Sequence, residues 1–310
     1  MVRILRRLIT NFIHQLALHF VHLESSILAI QKVIQHLATN TNHPMTTYIT
    51  IELTITDRIA TLWLNRPDVR NAFNGEMIAE LIDCLATVAQ DESIVALLLR
   101  GRGKVFCGGA DIQWMSSFSQ RTYEEDYQGN QQLARCFHAV YTLPQPTIAV
   151  VQGAAFGGAN GLLAACDMAY AVENTTFAFS EVKIGIIPAT IAPYVLRRVG
   201  EAAARELMLT GRRFEGTEAA RVDLVNQCFL TKEDTEARVR DMVAELKTAA
   251  PGAVRRCKQL INTVGQVNSV EETMDYTARM IADARASPEG QEGMRAFLEK
   301  RKPDWIVDSG

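Results

Sequence analysis

Apolar and β-branched residues fill Tyr48 to Ile55 and again Ile59 to Leu64, on either side of Asp57-Arg58, which predicts a β-hairpin. Asn65-Arg66-Pro67-Asp68 breaks the pattern. After Phe73-Asn74 the period changes: Met77, Ile78, Leu81, Ile82, Leu85, Val88 and Ala89 recur at three- and four-residue steps, the mark of an amphipathic helix. Glu76 in its first turn suits the helix dipole. Val95 to Leu99 is a continuous apolar strand closed by Arg100-Gly101-Arg102-Gly103, and the order strand, helix, strand implies a right-handed parallel crossover.

Farther on, Ser116 to Tyr127 is polar and aromatic with no sustained period, as expected of a mobile wall beside a site. Gln131 to Tyr141 reads as helix and stops before Pro144-Gln145-Pro146. Thr147 to Val151 is a buried strand, and Leu162 to Cys166 an apolar helical run. Met168 to Val172 is another strand, and Thr176 to Ser180 a short one that delivers Glu181. A loop bounded by Gly185 and Pro188 precedes helical patterns over 192–199 and 202–209. Thr217 is a plausible helix cap, Leu224 to Cys228 a further strand, and from Asp234 the pattern is helical, with Pro251 and Pro288 at starts or breaks. These readings divide the chain into an atypical extension (1–44), an α/β core (45–210) and a helical region (211–310).

The candidate chemistry lies on two glycine-rich bends. In Gly153-Ala154-Ala155-Phe156-Gly157-Gly158-Ala159-Asn160-Gly161 the missing Cβ atoms leave backbone N–H groups uncovered where a helix starts, the anatomy of an oxyanion hole or phosphate cradle. Tight packing of a helix on a sheet accounts for the same glycines equally well. A second bend, Phe106-Cys107-Gly108-Gly109-Ala110-Asp111-Ile112, opens another helix that Asp111 is placed to cap. Cys107, with no histidine in reach of the pattern, reads as packing rather than as a nucleophile.

Composition narrows the class. With 310 residues, 48% of them hydrophobic, the chain suffices for one large α/β domain. A net charge of -3 and the lack of a dense basic, aromatic-interleaved patch argue against nucleic acid as partner. Six cysteines without a C-x-x-C pair read as reduced, buried thiols, which suggests the cytoplasm. Residues 1–44 hold five of the six histidines, Arg3, Arg6 and Arg7, and the single acid Glu24. They look like an in-frame extension upstream of Met45 or a presequence, the latter implying the mitochondrial matrix. Their apolar runs are too short to span a membrane. Histidines are nearly absent from the core, and no metal-ligand spacing is present.

Two such bends are able to aim one N–H each at a single oxygen and so stabilise a thioester enolate, at roughly 3 to 4 kcal/mol of barrier per donor. With Asn65-Arg66-Pro67, Asn71-Ala72-Phe73-Asn74, the bends themselves and Phe179-Ser180-Glu181-Val182-Lys183-Ile184-Gly185-Ile186-Ile187-Pro188, the chain resembles the crotonase superfamily of enoyl-CoA hydratases and isomerases from about Ile51 onward. The resemblance implies an α/β spiral of ββα units with a C-terminal helical trimerisation region, the trimers often pairing into hexamers. It implies Ala110 and Gly158 as oxyanion donors and coenzyme A contacts at Arg70, Asn71, Ala72, Asp111 and Ile112, and at Phe297 and Lys300 near the basic end. No separate cofactor is implied, the substrate being carried as a coenzyme A thioester.

One departure matters. Where two-glutamate hydratases carry the first carboxylate this chain has Gly161, so Glu181 must act alone, with Asn160 beside the gap able to orient water but not to act as a base. The wording around both bends and Ser180 to Tyr194 looks like the bacterial methylglutaconyl-CoA hydratase branch, whose substrates bring a second carboxylate. A one-glutamate isomerase is the alternative, and an RNA-binding or non-catalytic relative is another. Trp114, Met115 and Tyr141 are read as acyl-pocket lining or as core.

Overall fold

The computed structural model describes residues 48–267 and 269–306; the expectations for residues 1–44 lie outside the described residues. Strands β1 (Ile51–Thr56) and β2 (Ile59–Leu64) form the antiparallel hairpin. Asp57 and Arg58 make its two-residue turn at φ 51° and 65°, the left-handed geometry that matches strand twist. Beside β2 lie β3 (Ala96–Gly101), β4 (Thr147–Val151), β6 (Met168–Val172) and β9 (Gln227–Phe229), all parallel, in a six-stranded sheet of order β1-β2-β3-β4-β6-β9. A second sheet joins β5 (Ala154–Phe156), β7 (Thr176–Ala178) and β8 (Arg213–Glu215).

The chain visits the layers in rotation. Each turn runs along a strand of the large sheet, crosses to the small layer, and enters a helix. After β2 comes Phe73 and then α1 (Gly75–Gln90). After β3 come Cys107 and Ala110, then α2 (Ile112–Ser116) and α3 (Tyr123–Thr142). After β4 and β5 comes α4 (Gly158–Ala165), and after β6 and β7 comes α5 (Ala192–Thr210), kinked at Gly200. Single parallel bridges, Phe73 to Ala110 and Cys107 to Ala155, continue the small layer through the first turns. Every helix entry therefore falls at one end of the large sheet. The core between the layers is aromatic and aliphatic: Phe73, Phe106, Phe137, Phe177 and Phe179 are all buried. Burying so much apolar area, at about 25 cal/mol per Å², is what holds the turns together.

Beyond residue 210 the chain adds β8, α6 (Gly216–Arg221) and β9 before the helices α7 (Lys232–Thr248), α8 (Pro251–Val264), α9 (Val270–Ala286) and α10 (Pro288–Glu299). Three expectations are corrected. Residues 123–130 are helical because Thr122 and Glu125 form a reciprocal capping box, a signal present in the sequence as T-x-x-E. Helix α6 begins at Gly216 after Glu215, without a side-chain cap from Thr217. Among the cysteines, Cys228 is half-buried and Cys257, on the outer face of α8, is exposed.

Candidate active site

The bridge between Phe73 and Ala110 fixes one amide. Phe73 N–H donates to Gly109 O at 2.8 Å, and Asp111 N–H to Phe73 O at 2.8 Å. Ala110 lies between them, and its own N–H meets no protein acceptor among the described residues. The second bend is held against the first: Cys107 N–H donates to Ala154 O at 3.1 Å and Phe156 N–H to Cys107 O at 3.2 Å. Gly109 must be glycine at φ 96°, since a Cβ there would lie 3.1 Å from Phe156 O. Gly157, at φ 52°, caps α4 and donates to Ala178 O at 3.0 Å. Gly158 is the first residue of that helix, and its N–H too is unclaimed by protein among the described residues. A Cβ on Gly158 would sit 3.5 Å from the Phe73 ring, so both uncovered amides border Phe73.

Glu181 stands on the 3-10 turn Ser180–Ile184 that follows β7. Its Oε1 lies 3.2 Å from where a Gly157 Cβ would be, and its Oε2 is buried without a hydrogen-bond partner among the described residues. Desolvation by burial pushes its carboxyl above the usual range, against a smaller opposing backbone hydrogen bond. Ile184 and Ile186, close to Glu181 in sequence, are 60% and 51% exposed and do not bury it. Burial comes from packing against the Gly157 bend, and Phe179 and Ala178 are the buried neighbours in sequence.

The residues read as coenzyme A contacts divide. Arg70 is exposed, and its carbonyl accepts Gly108 N–H at 2.8 Å, placing it beside the first bend. Asn71, fully buried at φ 55°, is instead a strut: Oδ1 accepts Arg66 N–H, and Nδ2 donates to the carbonyls of Arg102 (2.8 Å), Val105 (2.9 Å) and Phe106 (3.2 Å). Ala72 is buried and accepts Arg66 Nη1 at 2.6 Å. Asp111 caps α2 through Gln113 and Trp114 N–H groups and pairs with Arg66 Nη2 at 2.8 Å. Burial raises its carboxyl, but the Arg66 hydrogen bond and the two N–H groups outweigh that and hold it below the usual range. The side chains of Asn71 and Asp111 and the N–H groups of Asn71, Ala72 and Asp111 are thus all engaged within the protein. Ile112, at 84% exposed, is open to contact. Phe297 and Lys300 are exposed at the end of α10, and among the described residues no hydrogen bond or ring contact joins them to the bends.

Arg66, which ties the first bend to the hairpin exit, carries no sequence signal beyond its place in Asn65-Arg66-Pro67. Asn160 is likewise a strut: its Nδ2 donates to Ala178 O at 2.8 Å, the carbonyl that Gly157 N–H also uses, while its buried Oδ1 has no partner among the described residues. Gly161 faces Ile191 and Phe137. Trp114 and Tyr141 do not share a pocket. Trp114 stacks edge-on to Phe118 beside a 180 Å³ cavity near Gly75, whereas Tyr141 lines a separate 620 Å³ cavity with Tyr194, Pro193 and residues of α8. Met115 is half-buried. Complete burial pushes the Cys107 thiol up to about 12, which keeps it protonated. Among the described residues no three His, Cys, Asp or Glu side chains gather as metal ligands, and no helix is long and apolar enough to cross a membrane.

The family described as enoyl-CoA hydratase/isomerase matches residues 54–307. A putative enoyl-CoA hydratase of Thermus thermophilus is 36% identical over 245 residues, 79% of this chain and 96% of that protein. A crotonyl-CoA hydratase of Syntrophomonas wolfei is 32% identical over 261 residues, 84% of this chain and 98% of its own. Among solved structures, an enoyl-CoA hydratase from Shewanella pealeana superposes with a TM-score of 0.80 at 37% identity, covering 84% of this chain and 97% of that one. Pseudomonas aeruginosa AtuE gives 0.81 at 36%, covering 84% and 100%. With the layered spiral, the paired bends and matches of this extent, the chain belongs to the enoyl-CoA hydratase/isomerase family and has the mixed α/β crotonase fold.

Proposed function

We propose that the protein is an enoyl-CoA hydratase-type lyase with a single working carboxylate, acting on methylglutaconyl-CoA or a related glutaconyl thioester. The observation that carries the reading is Glu181, a half-buried carboxylate with an unpartnered oxygen, set beside the bend whose amide, with that of Ala110, is uncovered. The thioester carbonyl accepts from the N–H groups of Ala110 and Gly158, the latter with the dipole of α4 behind it. Protonated Glu181 gives its proton to the α-carbon while water adds through oxygen to the β-carbon. The proton that water sheds returns to Glu181, so the site regains its starting state. Arg70 is the exposed cation for the nucleotide end of coenzyme A, and Phe297 and Lys300 serve it from α10 of the same or a neighbouring copy.

Family membership supports thioester chemistry, the wording of the bends and of Ser180 to Tyr194 supports the glutaconyl branch, and the single carboxylate supports a substrate that brings its own. That same single carboxylate favours a second reading, Δ3-Δ2 isomerisation, in which Glu181 lifts a proton from one carbon and returns it to another. A panel of acyl-CoA thioesters assayed separately for hydration and for double-bond migration tests the proposal. Hydration of a glutaconyl thioester at least tenfold faster than migration of any 3-enoyl thioester is expected; the reverse order favours the isomerase. A homotrimer, or a pair of trimers, fits the apolar surface that Met274, Ile281, Phe297 and Leu298 expose on the C-terminal helices. Sedimentation of a monomer at micromolar concentration would refute it.

A further inference from the structure

Gly158 and Gly161 lie one turn apart on the same face of α4, and a Cβ on either would meet the Phe137 ring, at 3.7 Å and 3.3 Å. At Gly161 a harder neighbour intervenes. Its Cβ would collide with Ile191 Cγ2 and lie 2.8 Å from Ile191 Cβ, closer than packed carbon atoms tolerate. Ile191 is 1% exposed and has little room to yield, because it occupies the cap position of α5: its carbonyl accepts the N–H groups of Tyr194 and Val195, and Pro193 follows two residues on. The space a side chain at position 161 would need is thus filled by hydrocarbon delivered from another turn of the spiral. A carboxylate there would, besides colliding, be set against Ile191 and the fully buried Phe137 ring.

We propose that Ile191 is a specificity-determining residue: by filling the space above Gly161 it holds the site to one carboxylate and restricts fast hydration to enoyl thioesters that carry an acidic group of their own to orient the water. The specificity half of this statement rests on the enoyl-CoA reading given above; the steric half does not.

Two measurements separate the halves. In a double-mutant cycle, Gly161→Ala should lower the melting temperature of the wild-type chain clearly and that of Ile191→Ala by less than half as much, because the smaller neighbour admits the new methyl group. An equal loss in both backgrounds overturns the steric claim, and Ile191→Ala alone supplies the folded reference. For activity, Gly161→Glu with Ile191→Ala should hydrate crotonyl-CoA about tenfold or more faster than Ile191→Ala alone, and adding Glu181→Gln should remove the gain. No gain in a folded double variant overturns the specificity claim. A wild-type chain inert toward every thioester of the panel overturns the enoyl-CoA reading and the specificity claim with it, while the melting cycle still decides the steric one.

Discussion

Replacing Glu181 by glutamine keeps the side chain's size and removes its proton chemistry, so it tests the mechanism with little disturbance of packing. A positioned acid-base group contributes about 10²- to 10⁴-fold in rate, equivalent to about 3 to 5 kcal/mol of barrier. The larger end is expected, because Gly161 on α4 supplies no second carboxylate to share the work. The same variant has a stability signature. Burial raises the folded-state pKa of Glu181 above its ordinary 4.5, so its contribution to stability is fully present below the unfolded pKa and is lost as pH rises through the folded one. Glutamine does not titrate. The stability of the variant relative to wild type must therefore increase with pH over a window that opens near 4.5 and closes above the raised folded value. Loss of the enoyl thioester absorbance measures the rate, and urea unfolding across that window measures the stability difference. Activity within tenfold of wild type would show that another group moves the proton, and a stability difference that stayed flat or shrank with pH would refute the desolvated setting of Glu181.

Three further outcomes follow from the same geometry. Gly158→Pro removes one uncovered amide at a helix position where proline is tolerated, so circular dichroism should be unchanged while kcat falls about 10²- to 10³-fold. Asn71→Ala leaves the carbonyls of Arg102, Val105 and Phe106 without their shared donor and puts alanine at φ 55°, and chemical denaturation should register a loss of about 3 kcal/mol. Lys258→Met removes the buried ammonium that bonds Asp167 at 2.7 Å and Gln145 O at 3.2 Å. Asp167 keeps Thr147 as partner and is 28% exposed, so the loss in urea should be about 2 kcal/mol rather than the full cost of a buried orphan charge.

Much of this was legible along the chain because it is local. The hairpin at Asp57-Arg58, the α1 stripe from Met77 to Val88, and the strands before each bend follow from period and turn chemistry alone, and the glycine-dense bends mark where backbone amides are left bare. Glu181 stood out as a carboxylate following a buried strand, and Gly161 as a residue unable to hold a proton. The Thr122 to Glu125 capping box is a local signal too, and it makes helix of a stretch whose polar and aromatic composition resembles a loop. The tertiary fold alone decided which polar side chains are free. The Nδ2 groups of Asn71 and Asn160 donate to carbonyls 18 to 35 residues away, Asp111 adds Arg66 to its local cap, and no periodicity along the chain encodes such long-range pairings. It also decided that the space beside Gly161 is filled, since Ile191 is brought there by the next turn of the spiral. Sequence fixes torsional and apolar preferences residue by residue, whereas exclusion of volume and satisfaction of buried donors depend on which distant segments come to share the same space.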